Sequence, residues 1–442
     1  MGRVVSAGSV ISADWVLPIE APPIRDGAVA IEDGRIAAVG TAAELGTGTR
    51  YEDAVILPGF VNAHSHLEYA VYAGFGDGQP FGPWLATHIE RKDRLEDGDP
   101  LTIALLGAAE CLASGITTVA DASFTGAAAV ACSDVGLRAI VGIEVFKSDP
   151  DAALARFASI RDSIAAALSD RVRLGVSPHT PYTTSPSVYE ACLELGLPLL
   201  THFAESEHET LWLTKGEGPL DGLAFQPPVG KTGIRLLAEH GLLGPSIVAA
   251  HCVWVDEEEI ELLARHDVAV AHCPRSNALL GCGIAPLDEL RAAGLRIGIG
   301  TDSPASAPSF DMFEELRTAI YLARARARRA DALSAADALE LATLGGARAL
   351  GLDREIGSLA PGKRADLTVV SLSGSPYLPW EDPSTAIVFG GSPERVAVTL
   401  VDGETRYEKG SFEWHEVRST SASARYKMLR SPAPAGGAGR TS

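Results

Sequence analysis

Pro58-Gly59-Phe60-Val61-Asn62-Ala63-His64-Ser65-His66-Leu67-Glu68 follows an apolar run at 54–57 and sets two histidines one residue apart. Side chains at i and i+2 of a strand point to one face, so His64 and His66 can aim two imidazoles at a single point. A packed core has no use for two like polar rings side by side. A metal ion does, because neutral imidazole is its commonest side-chain ligand. Taken alone, His-x-His also suits a pair of exposed or hydrogen-bonded histidines. The rest of the chain decides between the two.

From 58 to 355, apolar stretches of strand length alternate with helical patterns. Strands are expected at 61–67, 117–122, 138–146, 172–178, 198–204, 246–253, 268–273 and 295–301. Helices are expected between them at 101–114, 151–168, 187–195, 234–240, 257–264 and 287–293. Eight strand–helix units of this size predict an α/β fold, the (β/α)8 TIM barrel. An open doubly wound sheet would carry a glycine-rich phosphate turn early in the chain, and none is present. Gly230-Lys231-Thr232 resembles the end of a P-loop, but the glycine required five residues earlier is Phe225.

The two chain ends read differently. Short strands at 27–32 and 35–39 flank Asp33-Gly34, a hairpin signature. The pattern returns at 366–371, 396–401 and 404–407, the last two around Asp402-Gly403. The expected organisation is a small β-sandwich built from 1–57 and 356–415, bracketing a hydrolase barrel at 58–355. Residues 416–442 are rich in Ser, Ala, Gly and Pro and poor in large apolar groups, so a disordered tail is expected there.

The 442 residues can bury a large core, with 46% hydrophobic and 21% charged residues. A formal charge of −20 argues against nucleic-acid phosphates and anionic membranes as partners. No apolar stretch reaches the ~18–20 residues that span a bilayer, and the N-terminus lacks a targeting pattern. Cys111, Cys132, Cys192, Cys252, Cys273 and Cys282 form no Cys-x-x-Cys pair and are scattered through expected core elements. Reduced, buried thiols in a cytoplasmic protein are the expectation. The expected partner is a small-molecule substrate, with a homodimer left open.

In a barrel of this type, chemistry sits at the C-terminal ends of the strands. Those ends carry His64 and His66, then Ser177-Pro178-His179, His202-Phe203-Ala204-Glu205, His251-Cys252, His272-Cys273-Pro274-Arg275-Ser276-Asn277 and Gly300-Thr301-Asp302-Ser303. One such histidine could be a hydrogen-bonded core residue; their joint placement at one rim points to a metal. His64, His66, His202 and Asp302 offer three imidazoles and a carboxylate for a divalent ion. Glu205, where the chain leaves its strand, suits a proton shuttle; the alternative is an acidic residue favoured at a helix start.

These segments together resemble the amidohydrolase superfamily, in its cytosine-deaminase-like and S-adenosylhomocysteine-deaminase-like branch, over residues 1 to 415. Ile356-Gly-Ser-Leu-Ala-Pro-Gly-Lys-Arg-Ala-Asp-Leu is similar to the strand-forming C-terminal piece of that superfamily. The resemblance implies one Zn²⁺ or Fe²⁺ on His64, His66, His202 and Asp302, with His251 facing the nucleophilic water. Members with two metals bridge them through a lysine or glutamate on the fourth strand, and 172–179 contains neither. Cys252 and Cys273 are then packing neighbours of the inward-facing histidines. The implied reaction is hydrolytic loss of an exocyclic amino group from a heterocycle as ammonia, with Glu205, His251 and Asp302 as the catalytic residues.

Pro178-His179-Thr180-Pro181-Tyr182-Thr183 is similar to the segment of adenosine-derivative deaminases whose histidine contacts the nucleoside. His66-Leu67-Glu68, Pro83-Trp84-Leu85, Glu205-Ser206-Glu207-His208-Glu209 and Gly216-Glu217-Gly218 further resemble aminodeoxyfutalosine deaminases of menaquinone biosynthesis. That resemblance makes His179, Trp84, Glu68 and Arg275 the expected substrate-binding residues. Arg275 could pair with a substrate carboxylate or lie in a structural salt bridge; Trp84 could cover the base or pack in the core. Ser303-Pro304-Ala305-Ser306 departs from the Ser-Asn pair common in the branch, and the apolar 69–75 stretch also differs. Alternatives are an S-adenosylhomocysteine, methylthioadenosine or adenosine deaminase, a triazine chlorohydrolase, and a non-enzymatic scaffold, the last disfavoured by the intact ligand set. A ring-amide hydrolase would want the missing fourth-strand lysine.

Overall fold

Ile116–Ser123 and Arg138–Val145 are buried at every residue, as strands of a parallel sheet must be when helices cover one face and side chains fill the other. The computed structural model describes residues 9–410 and 414–430. Among these, eight parallel strands run in sequence order around a barrel. They are β1 (Phe60–Ser65), β2 (Ile116–Ser123), β3 (Arg138–Val145), β4 (Val172–Pro178), β5 (Leu199–Phe203), β6 (Ile247–His251), β7 (Ala269–His272) and β8 (Ile297–Ile299). Val61, Ala120, Ile140, Leu200 and Val248 pack together in the barrel interior.

Closure happens at the rim where the chemistry was expected. The Asp302 amide donates to the His64 carbonyl at 3.0 Å, and Ser65 and Asp302 form a parallel bridge between the ends of β1 and β8. Asn62 laces the same seam, donating to the Thr301 hydroxyl at 2.7 Å and accepting from the Thr301 amide at 2.9 Å. Gly300 is required there, since a Cβ would stand 2.8 Å from the His64 Cβ and 2.9 Å from Cys273 Sγ.

Both chain ends meet in a separate seven-stranded sheet. Its centre is Thr49–Pro58, which pairs parallel with Ser9–Val16 and antiparallel with Leu367–Ser371 before running through Gly59 into β1. The Asp33-Gly34 turn has both φ angles positive, 48° and 75°, as a two-residue hairpin demands. A buried guanidinium joins sheet to barrel: Arg138 at the start of β3 donates to Asp366 at 2.7 Å and Asp402 at 2.6 Å. All six cysteines are buried and unpaired. No helix among the described residues is long and apolar enough to cross a membrane.

The expected disorder from 416 onward is corrected over the described part of that segment. Trp414–Leu429 is a helix. Val417, Ser421, Ala424 and Met428 fall on one helical face, and Ala424 and Met428 pack among Val71, Tyr72, Phe75, Ile103 and Leu106. Small residues make up half of that stripe, which disguises an amphipathic helix as low complexity. Residues 431–442 lie outside the described residues.

Candidate metal centre and substrate pocket

His64, at the end of β1, His66, just beyond it, and His202, on β5, bring one ring nitrogen each to within 4.8 Å of one another, and His64, His251 and Asp302 do the same. The tautomers follow from the backbone. His66 Nδ1 donates to the Ala122 carbonyl at 2.9 Å, and His202 Nδ1 donates to the His179 carbonyl at 2.7 Å. Neither Nε2 then carries a proton, yet the two stand 3.2 Å apart. Two lone pairs held that close repel unless a cation lies between them. His64 Nε2 is buried without a hydrogen-bond partner among the described residues, and Asp302 Oδ1 stands 3.6 Å from the Nε2 atoms of both His64 and His66. This donor set fits one divalent ion.

The carboxylate of Asp302 is held by its other oxygen. Ser276 and Ser306 each donate a hydroxyl to Oδ2 at 2.7 Å. Burial pushes Asp302 up, but its closeness to the His64 ring, with His251 and His66 behind, holds it well below the usual carboxylate range. Burial lowers His64, and lowers His202 far more, so both imidazoles are neutral and able to ligate. The backbone is strained where the ligands sit: His251 and Asp302 have φ of 74° and 55°, and Ala204, between His202 and Glu205, 49°. Positive φ on such residues is costly and concentrates at functional sites.

Glu205 points at this cluster from its edge, with Oε1 3.6 Å from His251 Nε2. Burial, followed by the charges of Asp302 and Glu209, pushes its carboxyl well above the ordinary range. His251 Nδ1 lies 2.9 Å from Asn277 Oδ1 and donates to it, leaving Nε2 as an acceptor facing the site. Burial lowers His251 to about 4. The helix Glu207–Lys215 is capped by Ser206, which accepts from the Glu209 amide, so the helix start does not need Glu205.

A pocket of about 740 Å³ opens from the cluster. His66, His202, His251, Glu205 and Asp302 line its inner end; Trp84, His179, Tyr182 and Phe225 line its walls. His179 Nδ1 shares a hydrogen bond with the Thr183 hydroxyl at 2.8 Å. Trp84 reaches the Ala305 carbonyl through Nε1 at 3.4 Å while its ring faces the cavity.

Two expected substrate contacts lie elsewhere. Arg275 is outside the pocket lining; its guanidinium stands 3.4 Å from Glu315 and 3.5 Å from Glu314 and donates to the carbonyls of Asp311 and Ser309. It is a structural ion pair, because the helix Met312–Ala327 brings Glu315 under it. The carboxylate of Glu68 turns away, accepting from the Ser123 hydroxyl and, at 3.1 Å, from the Thr125 amide. Cys252 and Cys273 are fully buried and belong to neither metal-sized group.

Sequence reasoning missed Asp121 at the end of β2, which accepts from the Leu67 amide at 2.7 Å and the Ser65 hydroxyl at 3.0 Å and so fixes the turn after His66. The strand-end rule that found the histidines applied to it equally. It gave no role to Ser276 and Asn277, whose partners Asp302 and His251 each lie 26 residues away, nor to Ser306, four residues beyond Asp302.

A model described as the amidohydrolase family matches residues 55–406. A 5′-deoxyadenosine deaminase of Methanothermobacter thermautotrophicus is 34% identical over 408 residues, 89% of this chain and 92% of that protein. A 5-methylthioadenosine/S-adenosylhomocysteine deaminase of Moorella thermoacetica is 35% identical over 437 residues, 96% and 98% of the two chains. Among solved structures, an adenosine deaminase from Xanthomonas campestris with bound zinc superposes with a TM-score of 0.84 at 30% identity, covering 96% of this chain and 99% of that one.

Proposed function

Since the chain belongs to the amidohydrolase family, we propose that it removes the 6-amino group of an adenine nucleoside carrying a 5′ substituent, with aminodeoxyfutalosine as its preferred substrate. The class of activity is metal-dependent hydrolytic deamination of purine nucleosides, cleavage of a carbon–nitrogen bond in a cyclic amidine. One divalent ion, Zn²⁺, is the cofactor, and Fe²⁺ would suit the same imidazole–carboxylate donors. Held by His64, His66, His202 and Asp302, the ion would supply Lewis acidity that makes water a nucleophile at neutral pH.

The chain's own residues account for the protons. Protonated Glu205 delivers its proton to N1 of the ring, which makes C6 electrophilic. Water adds to C6, giving up a proton within reach of Glu205 and His251 Nε2. Glu205 then returns that proton to the 6-amino group. The C6–N bond breaks and ammonia leaves, while the C6 hydroxyl gives its remaining proton to Glu205, so the ring keeps a carbonyl oxygen at C6 and Glu205 ends protonated as it began. The placement of Glu205, buried at the edge of the imidazole–carboxylate cluster with Oε1 3.6 Å from His251 Nε2, is the observation that carries this reading.

His179 and Trp84 line the pocket where the nucleoside would leave the metal end. Aminodeoxyfutalosine is favoured over other 5′ groups by the resemblance of the 66–68, 83–85 and 205–209 segments to enzymes of that activity, which would place the reaction in menaquinone biosynthesis. Six buried, unpaired thiols support a reducing, cytoplasmic setting. The test is a panel of adenine nucleosides, guanine, cytosine and chlorinated triazines, followed by release of ammonia and chloride. Aminodeoxyfutalosine should lead it. Faster turnover of guanine, cytosine or a chlorotriazine than of every adenine nucleoside would overturn the assignment.

A further inference from the structure

A row of rings leads away from the metal cluster along the pocket. His202 and His179 have centroids 4.9 Å apart, His179 and Phe146 5.1 Å, and Phe146 and Phe124 5.9 Å. At the far end two cations stand over one ring. Lys92 Nζ is 3.6 Å from the Phe124 centroid and Arg156 Cζ 4.6 Å from it, and all of these residues line the pocket.

The two cations are not equivalent. Arg156 is anchored, donating to the Glu144 carbonyl at 3.2 Å and to the Phe124 carbonyl. The Lys92 ammonium makes no hydrogen bond or ion pair among the described residues, although it ends the helix Phe81–Lys92 and sits partly buried. An ammonium withdrawn from water without an anion is costly, and a ring face repays only part of that cost.

The nearby carboxylates Glu144, Glu68 and Asp93 act on Lys92 through their charge, but none of them makes an ion pair with it. Asp149 is spent on the amides of Asp151 and Ala152. Glu68 is held by Ser123 and Thr125. Glu144 is buried and lines the pocket but lies beyond ion-pair distance of both Lys92 and Arg156. Asp93 is exposed at the rim.

We propose that Lys92, seated over Phe124 with Arg156, is the specificity-determining residue of this pocket and receives a carboxylate at the end of the substrate's 5′ substituent. This rests on the adenine-nucleoside reading above. With the purine at the metal cluster, a 5′ substituent running past His179 follows Phe146 to Phe124, and an anion at its end meets Lys92. The carboxylate can belong to an aryl acid, whose ring would stack along the phenylalanines. It can also belong to an amino acid, whose ammonium would face Glu144.

The test compares kcat/KM for 5′-methylthioadenosine, which has a neutral tail, with S-adenosylhomocysteine and aminodeoxyfutalosine, in the metal-loaded protein and in Lys92→Gln and Lys92→Arg. The better carboxylated substrate should exceed methylthioadenosine by about tenfold to a hundredfold, the range of one charge-assisted contact. Lys92→Gln should collapse that ratio, chiefly through KM of the carboxylated substrate, and Lys92→Arg should restore most of it. Which carboxylated nucleoside leads identifies the aryl or the amino-acid source. Equal efficiency on all three, or an undiminished ratio in Lys92→Gln, would overturn the subsite while leaving the deaminase reading intact. No ammonia from any of the three would overturn the nucleoside reading and the subsite with it.

Discussion

Ser306 donates its hydroxyl to Asp302 Oδ2 at 2.7 Å. Ser276 donates to the same oxygen at the same distance. The pair fixes which carboxylate oxygen is left for the metal, since Oδ1 alone faces His64 and His66. Ser306 thus has a use in this chain, in the very segment where the sequence leaves the branch's usual Ser-Asn pair. Ser306→Ala should weaken metal binding by about tenfold, and Ser276→Ala with Ser306→Ala by more, within the 10–100-fold range of outer hydrogen-bond partners. Competition with a chromogenic chelator measures it. An unchanged affinity in the double variant would mean that the backbone, strained at Asp302, orients the carboxylate unaided.

Glu205→Gln keeps size and hydrogen bonding but removes the proton carrier. The expected result is a fall in kcat of ~10²–10⁴ with metal content unchanged. Parallel measurement of ammonia release and bound metal separates the two effects. Turnover near the wild-type value would assign the proton to another route, His251 Nε2 being the nearest acceptor.

Removing a ligand gives a different signature. His202→Ala takes away one of the three clustered imidazoles and leaves His66 Nε2 without the lone pair that opposes it. Metal should fall from about one ion per chain to a small fraction, and activity with it. Elemental analysis finding two firmly held ions in the unaltered protein would contradict the single-ion site, whose β4 strand, Val172–Pro178, offers no lysine or glutamate as a bridge.

The parts of this molecule that sequence made legible are those whose chemistry is written at one place on the chain. A strand end carrying His-x-His, or His followed three residues later by Glu, states its direction and its partner type together, because strand period and barrel polarity are general. β4 and the strand Val396–Val401 have the bounds expected of them, since apolar runs bounded by turns leave little freedom. Arg275 was illegible for the opposite reason: its partner Glu315 lies 40 residues on, and only the folded helix shows that the guanidinium is already engaged. Glu68 is the same case, its oxygens taken by Ser123 and Thr125. Lys92 could not be chosen from the sequence at all, because nothing local distinguishes a lysine over Phe124 from one in solvent.

The helix Trp414–Leu429, hidden by its small residues, supports one wall of the pocket. Arg91 and Arg94 both donate to the Met428 carbonyl at 2.8 Å, tying the helix Phe81–Lys92 and the residues after it to the C-terminal segment. Arg425 reaches the carbonyls of Val71 and Ala73, and its guanidinium carbon lies 4.4 Å from the Phe75 centroid. Lys427 pairs with Asp99 at 2.9 Å and Glu96 at 2.7 Å. The wall so held supplies Trp84, His88 and Lys92 to the pocket and none of the metal donors. Truncation after Gly410 should therefore raise KM for the nucleoside more than it lowers kcat, leave the metal in place, and make the 69–98 segment an early site of limited proteolysis. Met428→Ala isolates the packing part of the effect. Opening a cavity at a fully buried methionine costs about 2–3 kcal/mol and should lower Tm by several degrees. If truncation leaves KM, Tm and proteolysis as they were, the wall stands on its own contacts and the helix has another purpose. If it strips the metal, the coupling runs through the barrel rim and not through the wall.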